Sequence, residues 1–279
     1  MAAASAGTVE DGPAVLRLAA NTCGRDFVIG DIHGCMDAII DTMSAVRFDM
    51  LRDRLFACGD LVDRGEDNED VAALIDEPWF FSVRGNHDQA AIDLYRSMQG
   101  STEPPQGQPQ IAPHADNQWL RELIAGRPGQ AHGVVARLAR LPLAISIMGR
   151  HVHTGIVHAD MPRQFSWHAG LRSLACRDPK WASYVMWARP AFEQSGEVSA
   201  VAGVDRIYVG HTPLVRPRQL GNVWYIDGGG VYKATRERYS QSRAHYMGAW
   251  NLVRLDTPAD TLLSPPQEYG LLRVYGAEV

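Results

Sequence analysis

Three short segments of this chain gather residue types that hold divalent cations: Gly30-Asp31-Ile32-His33-Gly34, Gly59-Asp60-Leu61-Val62-Asp63-Arg64-Gly65 and Gly85-Asn86-His87-Asp88. Each follows an apolar run that reads as a β-strand. Asp31 and His33, two residues apart just past a strand end, can reach one ion. The Asp60 carboxylate can offer one oxygen to each of two ions, and Asn86 adds a neutral oxygen. Two later histidines, His158 and His211, also close apolar runs and complete a second site with Asp60 and Asn86. Two carboxylates facing two dications leave roughly two positive charges, which suits a phosphate monoester dianion attacked by activated water. Any one of these segments alone is an ordinary turn or helix start. Their joint occurrence, each at a strand end, carries the metal reading. His114, His132, His151, His153, His168 and His245 are read as satisfied or exposed histidines outside the site.

The elements that must position these groups alternate. Strands are expected at Phe27-Val28-Ile29, Leu55–Cys58 and Trp79–Val83, with helices over Met36–Phe48, Asn68–Ile75 and Gln89–Met98. Such alternation argues for an α/β layered domain, with ligands beyond the carboxyl ends of the strands. Residues 99–114 lose all periodicity; their four prolines, two glycines and four glutamines predict an exposed loop. Helices near Asn117–Ile124 and Val134–Leu141 follow. Later strands are expected at Ala144–Met148, His151–Val157, Arg206–Val209, Val223–Ile226 and Ala249–Leu255. An irregular, tryptophan-rich helical stretch lies between, over Phe165–Ala202. Residues 1–12 read as a frayed tail and 13–279 as a single domain.

The bulk composition narrows the surroundings. With 27 basic and 32 acidic residues the net charge is −5, without the basic excess that nucleic acid binding usually needs. Four scattered cysteines form no CxxC pair, so a reducing compartment, the cytoplasm, is expected. No signal peptide, no membrane span and no nucleic acid partner are expected.

The segments GDIHG, GDLVDRG and GNHD resemble the signature of the phosphoprotein phosphatase family of calcineurin-like metallophosphoesterases. The similarity runs from Asp26 to about Gly229 and includes Val157-His158-Ala159 and Val209-Gly210-His211-Thr212. Leu141-Pro142-Leu143 and Met186-Trp187-Ala188-Arg189 are similar to the bacterial and lambda-phage-type serine/threonine protein phosphatases. The resemblance implies a four-layer αββα sandwich, which periodicity alone does not give. It implies two divalent ions, manganese in first place with iron, zinc, nickel or magnesium as alternatives. Asp31, His33, Asp60, Asn86, His158 and His211 would be the metal ligands. His87 would be the general acid, oriented by Asp63. Arg64, Asn86 and Arg189 would bind substrate, with Arg163, Arg172 and Arg177 as rivals for the place of Arg189.

The implied activity is a phosphomonoesterase, a serine/threonine protein phosphatase acting through a hydroxide activated by two metals on a phosphoprotein or small phosphate ester. Two departures from the family pattern stand out. Asp88 replaces the usual Glu, as in the related diadenosine tetraphosphatases, which makes a dinucleoside polyphosphate hydrolase the alternative. Asp160 replaces a usual Gly, and either faces away from the site or tunes substrate choice. Asp227, before Gly228-Gly229-Gly230, is read as structural. A second alternative is an inactive phosphopeptide-binding module, which would have no use for both His87 and Asp63.

Overall fold

Neighbouring residues of the strand at Asp26–Ile29 go to different cores: Phe27 and Ile29 pack under helices, and Val28 packs against a second sheet. The computed structural model describes residues 9–100, 117–149, 151–189, 198–234, 248–256, 266–269 and 272–275. In chain order the first elements are β1 (Val15–Ala19), β2 (Asp26–Ile29), α1 (Met36–Ala45), β3 (Arg54–Ala57), α2 (Asn68–Ala73), β4 (Phe80–Ser82) and α3 (Asn86–Met98). Then come α4 (Gln118–Gly126), α5 (Pro128–Arg140), β5 (Ala144–Met148), β6 (His153–Val157), α6 (Trp167–Ala175) and α7 (Pro179–Trp187). The remainder comprises β7 (Arg206–Val209), β8 (Arg218–Leu220), β9 (Val223–Tyr225), α8 (Gly230–Ala234), β10 (Trp250–Arg254), β11 (Gln267–Tyr269) and β12 (Leu272–Tyr275).

The strands form two six-stranded sheets, ordered β1-β5-β6-β7-β9-β8 and β11-β12-β10-β2-β3-β4. Their two-residue side-chain period sorts the apolar residues into three layers of core. Leu55 and Ala57 join Phe27 and Ile29 beneath Ile39 of α1, Ile92 of α3, Leu120 of α4 and Leu138 of α5. Val28, Phe56, Ile145, Ile156, Tyr208, Trp224 and Val253 meet between the sheets. Val157, Ile207, Val209 and Tyr225 face Trp167 and Leu171 of α6 and Val185 and Met186 of α7. Helices, sheet, sheet and helices thus stack as the αββα sandwich. Trp167 is core: it is fully buried, and a Cβ on Gly155 would stand 2.7 Å from its ring.

Several elements differ from expectation. Helix α3 starts at Asn86 rather than Gln89, because the Asp88 carboxylate accepts the Gly85 amide (2.8 Å) as a capping box and opens the helix inside the motif. Helix α5 starts at Pro128, a favoured first helical residue. Strands β1, β8, β11 and β12 were not expected from the sequence. Most of the expected 99–114 loop lies outside the described residues.

The expected tail fails at its last residues. Asp11 pairs with Arg84 (3.0 Å) and Arg96 (3.3 Å), and the Gly12 amide donates to the Ala139 carbonyl (2.8 Å). Arg84 is almost fully buried just before Asn86, and a buried guanidinium needs a counter-charge. Asp11→Ala should therefore destabilise the protein by about 2 kcal/mol, a fall in Tm of roughly 5 °C. A thermal melt within about 1 °C of wild type would contradict this role.

Candidate metal centre

The turns after β2, β3 and β4 and the ends of β6 and β7 deliver their side chains to one crevice. The backbone pays conformational energy to do so. His33, Asp60, Asp63, Arg64 and His211 all lie in the left-handed region, with φ of 54°, 48°, 73°, 72° and 62°. Non-glycine residues held there cluster at functional sites. Gly85 and Gly210 allow close approach, since a Cβ on either would collide with the carboxylate of Asp60 or Asp31 respectively.

The second half of the site is an excess of lone pairs. His158 Nδ1 donates to the Cys58 carbonyl (2.8 Å), which leaves Nε2 as an acceptor. That nitrogen lies 2.8 Å from Asn86 Oδ1, 3.2 Å from His211 Nδ1 and 3.5 Å from Asp60 Oδ1. His211 Nδ1 is also 2.9 Å from Asn86 Oδ1. These four buried atoms share at most one proton among them, so a cation is the partner that satisfies all of them.

The first half also turns an imidazole nitrogen inward, but here that nitrogen accepts from Arg64 (2.7 Å). His33 Nδ1 donates to the Val62 carbonyl (3.1 Å), and its Nε2 lies 3.7 Å from Asp60 Oδ2 and 4.0 Å from Asp31 Oδ2. Asp31 is itself anchored by the His211 amide at 3.0 and 3.1 Å. Two clusters, His33-Asp60-His87 and Asp60-His158-His211, could each hold a metal ion. Asp60 is common to both. The donor set of carboxylate, imidazole and amide oxygen, with carbonyls orienting two of the imidazoles, fits a pair of first-row divalent ions.

The electrostatics agree. Burial, reinforced for His33 by Arg64 and for His211 by His158, holds His33, His158 and His211 below the usual histidine range, with His211 down to about 3. Each is thereby biased toward the neutral form that holding a metal requires, and residual protonation is drawn toward Asp60. Burial opposes ionisation of Asp60, but the surrounding imidazoles, His158 first, keep it well below the usual carboxylate range. Burial and the neighbouring charge of Asp227 push Asp31 well up. Asp227, raised to about 6 chiefly by burial, also accepts the Gly229 amide (2.8 Å).

Beside this cluster, His87 Nδ1 meets Asp63 Oδ2 at 2.8 Å. Burial works against a charged His87, yet Asp60 and Asp63 raise it above its ordinary value. Arg64 donates to His33 Nε2 (2.7 Å) and His87 Nε2 (3.0 Å), and its guanidinium lies 5.2 Å from the Tyr232 ring centroid. Arg189 is exposed at the end of α7, and its charge disfavours protonation of His158 and His211. The rival Arg163 is engaged with Asp160 (2.9 Å) and the Tyr225 hydroxyl (3.0 Å). Asp160 is thereby committed to that pair and to the Met161 amide (2.7 Å).

Asp88 is also a backbone anchor, accepting from Leu61 (2.9 Å) as well as Gly85. Two tryptophans border the site, Trp119 outside every motif and Trp187 within the Met186–Arg189 segment. Trp119 Nε1 donates to Asp63 Oδ1 (2.5 Å), and the Trp187 ring stands edge-on 6.2 Å from His211.

A family model described as calcineurin-like phosphoesterase matches residues 27–215. The chain is 32% identical over 217 residues to serine/threonine-protein phosphatase 1 of Salmonella typhimurium, covering 77% of this chain and 91% of that protein. It is 36% identical over 100 residues to a symmetrical bis(5'-nucleosyl)-tetraphosphatase of Yersinia pestis, covering 34% and 35% of the two chains. A solved serine/threonine phosphatase from Saccharomyces cerevisiae superposes with a TM-score of 0.52 at 16% identity, over 78% of this chain and 71% of that one, a likeness of fold.

Because Asp31 lies well above the usual carboxylate range beside Asp227, the pair retains a proton near pH 6 that a metal must displace. Metal binding at pH 6 should release about one proton, and affinity should fall about tenfold for each pH unit below that. Calorimetry in two buffers of different ionisation enthalpy reads the release; proton uptake, or none, would contradict it.

Proposed function

The chain belongs to the calcineurin-like phosphoesterase family, and from that premise we propose that it is a metal-dependent phosphomonoesterase that dephosphorylates serine and threonine in proteins. One observation carries the reading. The lone-pair cluster of Asn86, His158 and His211 shares Asp60 with the His33 side of the crevice, beside an acid dyad and an arginine. Asp31, His33 and Asp60 would hold one ion; Asp60, Asn86, His158 and His211 would hold the other. Two divalent ions, manganese in this reading with iron, zinc, nickel or magnesium as chemical alternatives, supply Lewis-acid charge and an activated water when bound.

The chain's own groups account for the rest. Arg64 has its guanidinium between His33 and His87, over the Tyr232 ring, from where its planar fork can turn to grip two phosphate oxygens. Arg189 adds a second positive charge from the rim, and the Asn86 amide supplies a further polar contact. Once Arg64 turns from His87 Nε2 to the phosphate, the charged ring carries a proton on that nitrogen and gives it to the leaving oxygen as the phosphorus–oxygen bond breaks, so a serine or threonine side chain departs as alcohol and not alkoxide. Asp63 stabilises the imidazolium through Nδ1–H and fixes the ring (2.8 Å). Water is consumed, and inorganic phosphate and the alcohol are the products.

The protein substrate is supported by the name of the Salmonella relative, which aligns over most of both chains. The Asp63-Arg64 pair, which resembles that of protein phosphatases, points the same way. Asp88 gives no support to a dinucleoside polyphosphate, because its carboxylate is spent on the amides of Leu61 and Gly85. All four cysteines are free, in keeping with a reducing cytoplasm. No helix among the described residues is long and apolar enough to cross a membrane.

With manganese supplied, kcat/KM for a phosphoserine peptide should exceed that for diadenosine tetraphosphate by at least about tenfold. The reverse order would replace the substrate reading. No hydrolysis of either, with phosphate still bound, would favour a binding module. His87→Asn should lower kcat on phenyl phosphate by about a hundredfold or more while metal content stays full. Undiminished turnover would end the acid assignment.

A further inference from the structure

The carboxylate of Asp63 is completely buried, and every contact to it comes from a side chain with a donor to give. Oδ2 takes the Nδ1 proton of His87 at 2.8 Å. Oδ1 takes the indole proton of Trp119 at 2.5 Å. The Asn117 amide nitrogen, turned toward the carboxylate, lies 3.0 Å from Oδ1 and 3.2 Å from Oδ2. Asn117 is itself buried, with 3% of its surface exposed, and directly precedes helix α4. Trp119 is 56 residues from Asp63 in sequence and belongs to none of the metal-binding segments.

A carboxylate can rotate about its last bond, and in a closed site that rotation decides which oxygen faces the imidazole. Two donors on the Oδ1 side remove the choice. The Asp63 backbone is pinned independently, since its amide donates to Asn68 Oδ1 (2.8 Å) while φ stands at 73°. Without the indole and amide donors, Oδ1 would be a buried charged atom with nothing to neutralise it. The least costly relief would be to turn that oxygen toward His87 or to draw water into the site. Either outcome loosens the ring that must present Nε2 to the leaving oxygen.

We infer that Trp119 and Asn117 are positioning residues for the proton donor: they clamp Asp63 so that Asp63 can aim His87. The inference deepens the reading of His87 as the leaving-group acid and rests on it. A purely architectural role, in which Trp119 only docks α4 on the site, would lower turnover of every ester alike. A clamp on the acid lowers it according to how much the leaving oxygen needs a proton. p-Nitrophenyl phosphate releases a stabilised phenolate and needs little protonation, whereas phenyl phosphate releases a more basic oxygen and needs more.

The full-length, manganese-loaded protein is tested with Trp119→Phe, which keeps an aromatic ring and deletes the donor. Its kcat on phenyl phosphate should fall about tenfold further than its kcat on p-nitrophenyl phosphate, with KM changed by less than about twofold and metal content full. Equal losses on the two esters, or no loss on either, would overturn the clamp. If Trp119→Phe does not fold, Asn117→Ala carries the same comparison, with an expected selectivity of about threefold. His87→Asn is run alongside. If it shows no ester selectivity, the acid reading falls and takes the clamp with it. If it is selective and the clamp variants are not, the clamp alone falls.

Discussion

A buried crevice that collects more acceptors than protons cannot satisfy itself. Asn86 Oδ1, His158 Nε2 and His211 Nδ1 lie within 3.2 Å of one another, with Asp60 close by, and hydrogen bonding within the protein does not satisfy them all. This surplus is the constraint around which the surrounding structure is arranged. The Cys58 and Val62 carbonyls take up the Nδ1 protons, so that His158 and His33 turn their other nitrogens inward. Left-handed backbone at His33, Asp60 and His211 sends the turns after β2, β3 and β7 into the same space. That geometry survives because two sheets and their helices, packed through three cores, stand behind it.

Positive charge is distributed with the same economy. Arg64 donates to His33 and His87 and leans on the Tyr232 ring, so it is held beside the crevice and turns from those nitrogens to meet a phosphate. Arg163 looks equally available in the sequence but is spent on Asp160 and Tyr225. Asp160 and Asp88, the two departures from the family pattern, turn out to bind their own neighbourhoods. A carboxylate anchored to backbone amides holds turns in place and does not face a substrate.

Much of this was legible in the sequence because the signals are local. Glycine, carboxylate and imidazole at a strand end occupy a handful of consecutive positions, and the side chains proposed as ligands, from Asp31 to His211, meet in one crevice. The second sheet was not readable from periodicity. Phe27, Val28 and Ile29 are all apolar because both faces of β2 are covered, and an unbroken apolar run does not say what covers each face. The contacts that complete the site were hidden for another reason. Trp119 reaches Asp63, and Asp11 reaches Arg84, across long stretches of chain with no pattern at either end. The early start of α3 depends on a capping carboxylate that reads, out of context, as one more motif residue.

The segment around Asp11 has a practical side. Just downstream, β1 lies along β5 in one sheet. Asp11 itself grips the arginine that leads from the other sheet into α3. A few residues thus stitch the two halves of the sandwich together on their way past. Purification handles and fusion partners belong upstream of Val9, and a trimmed chain starting at residue 13 would keep every signature while losing the thread that ties them.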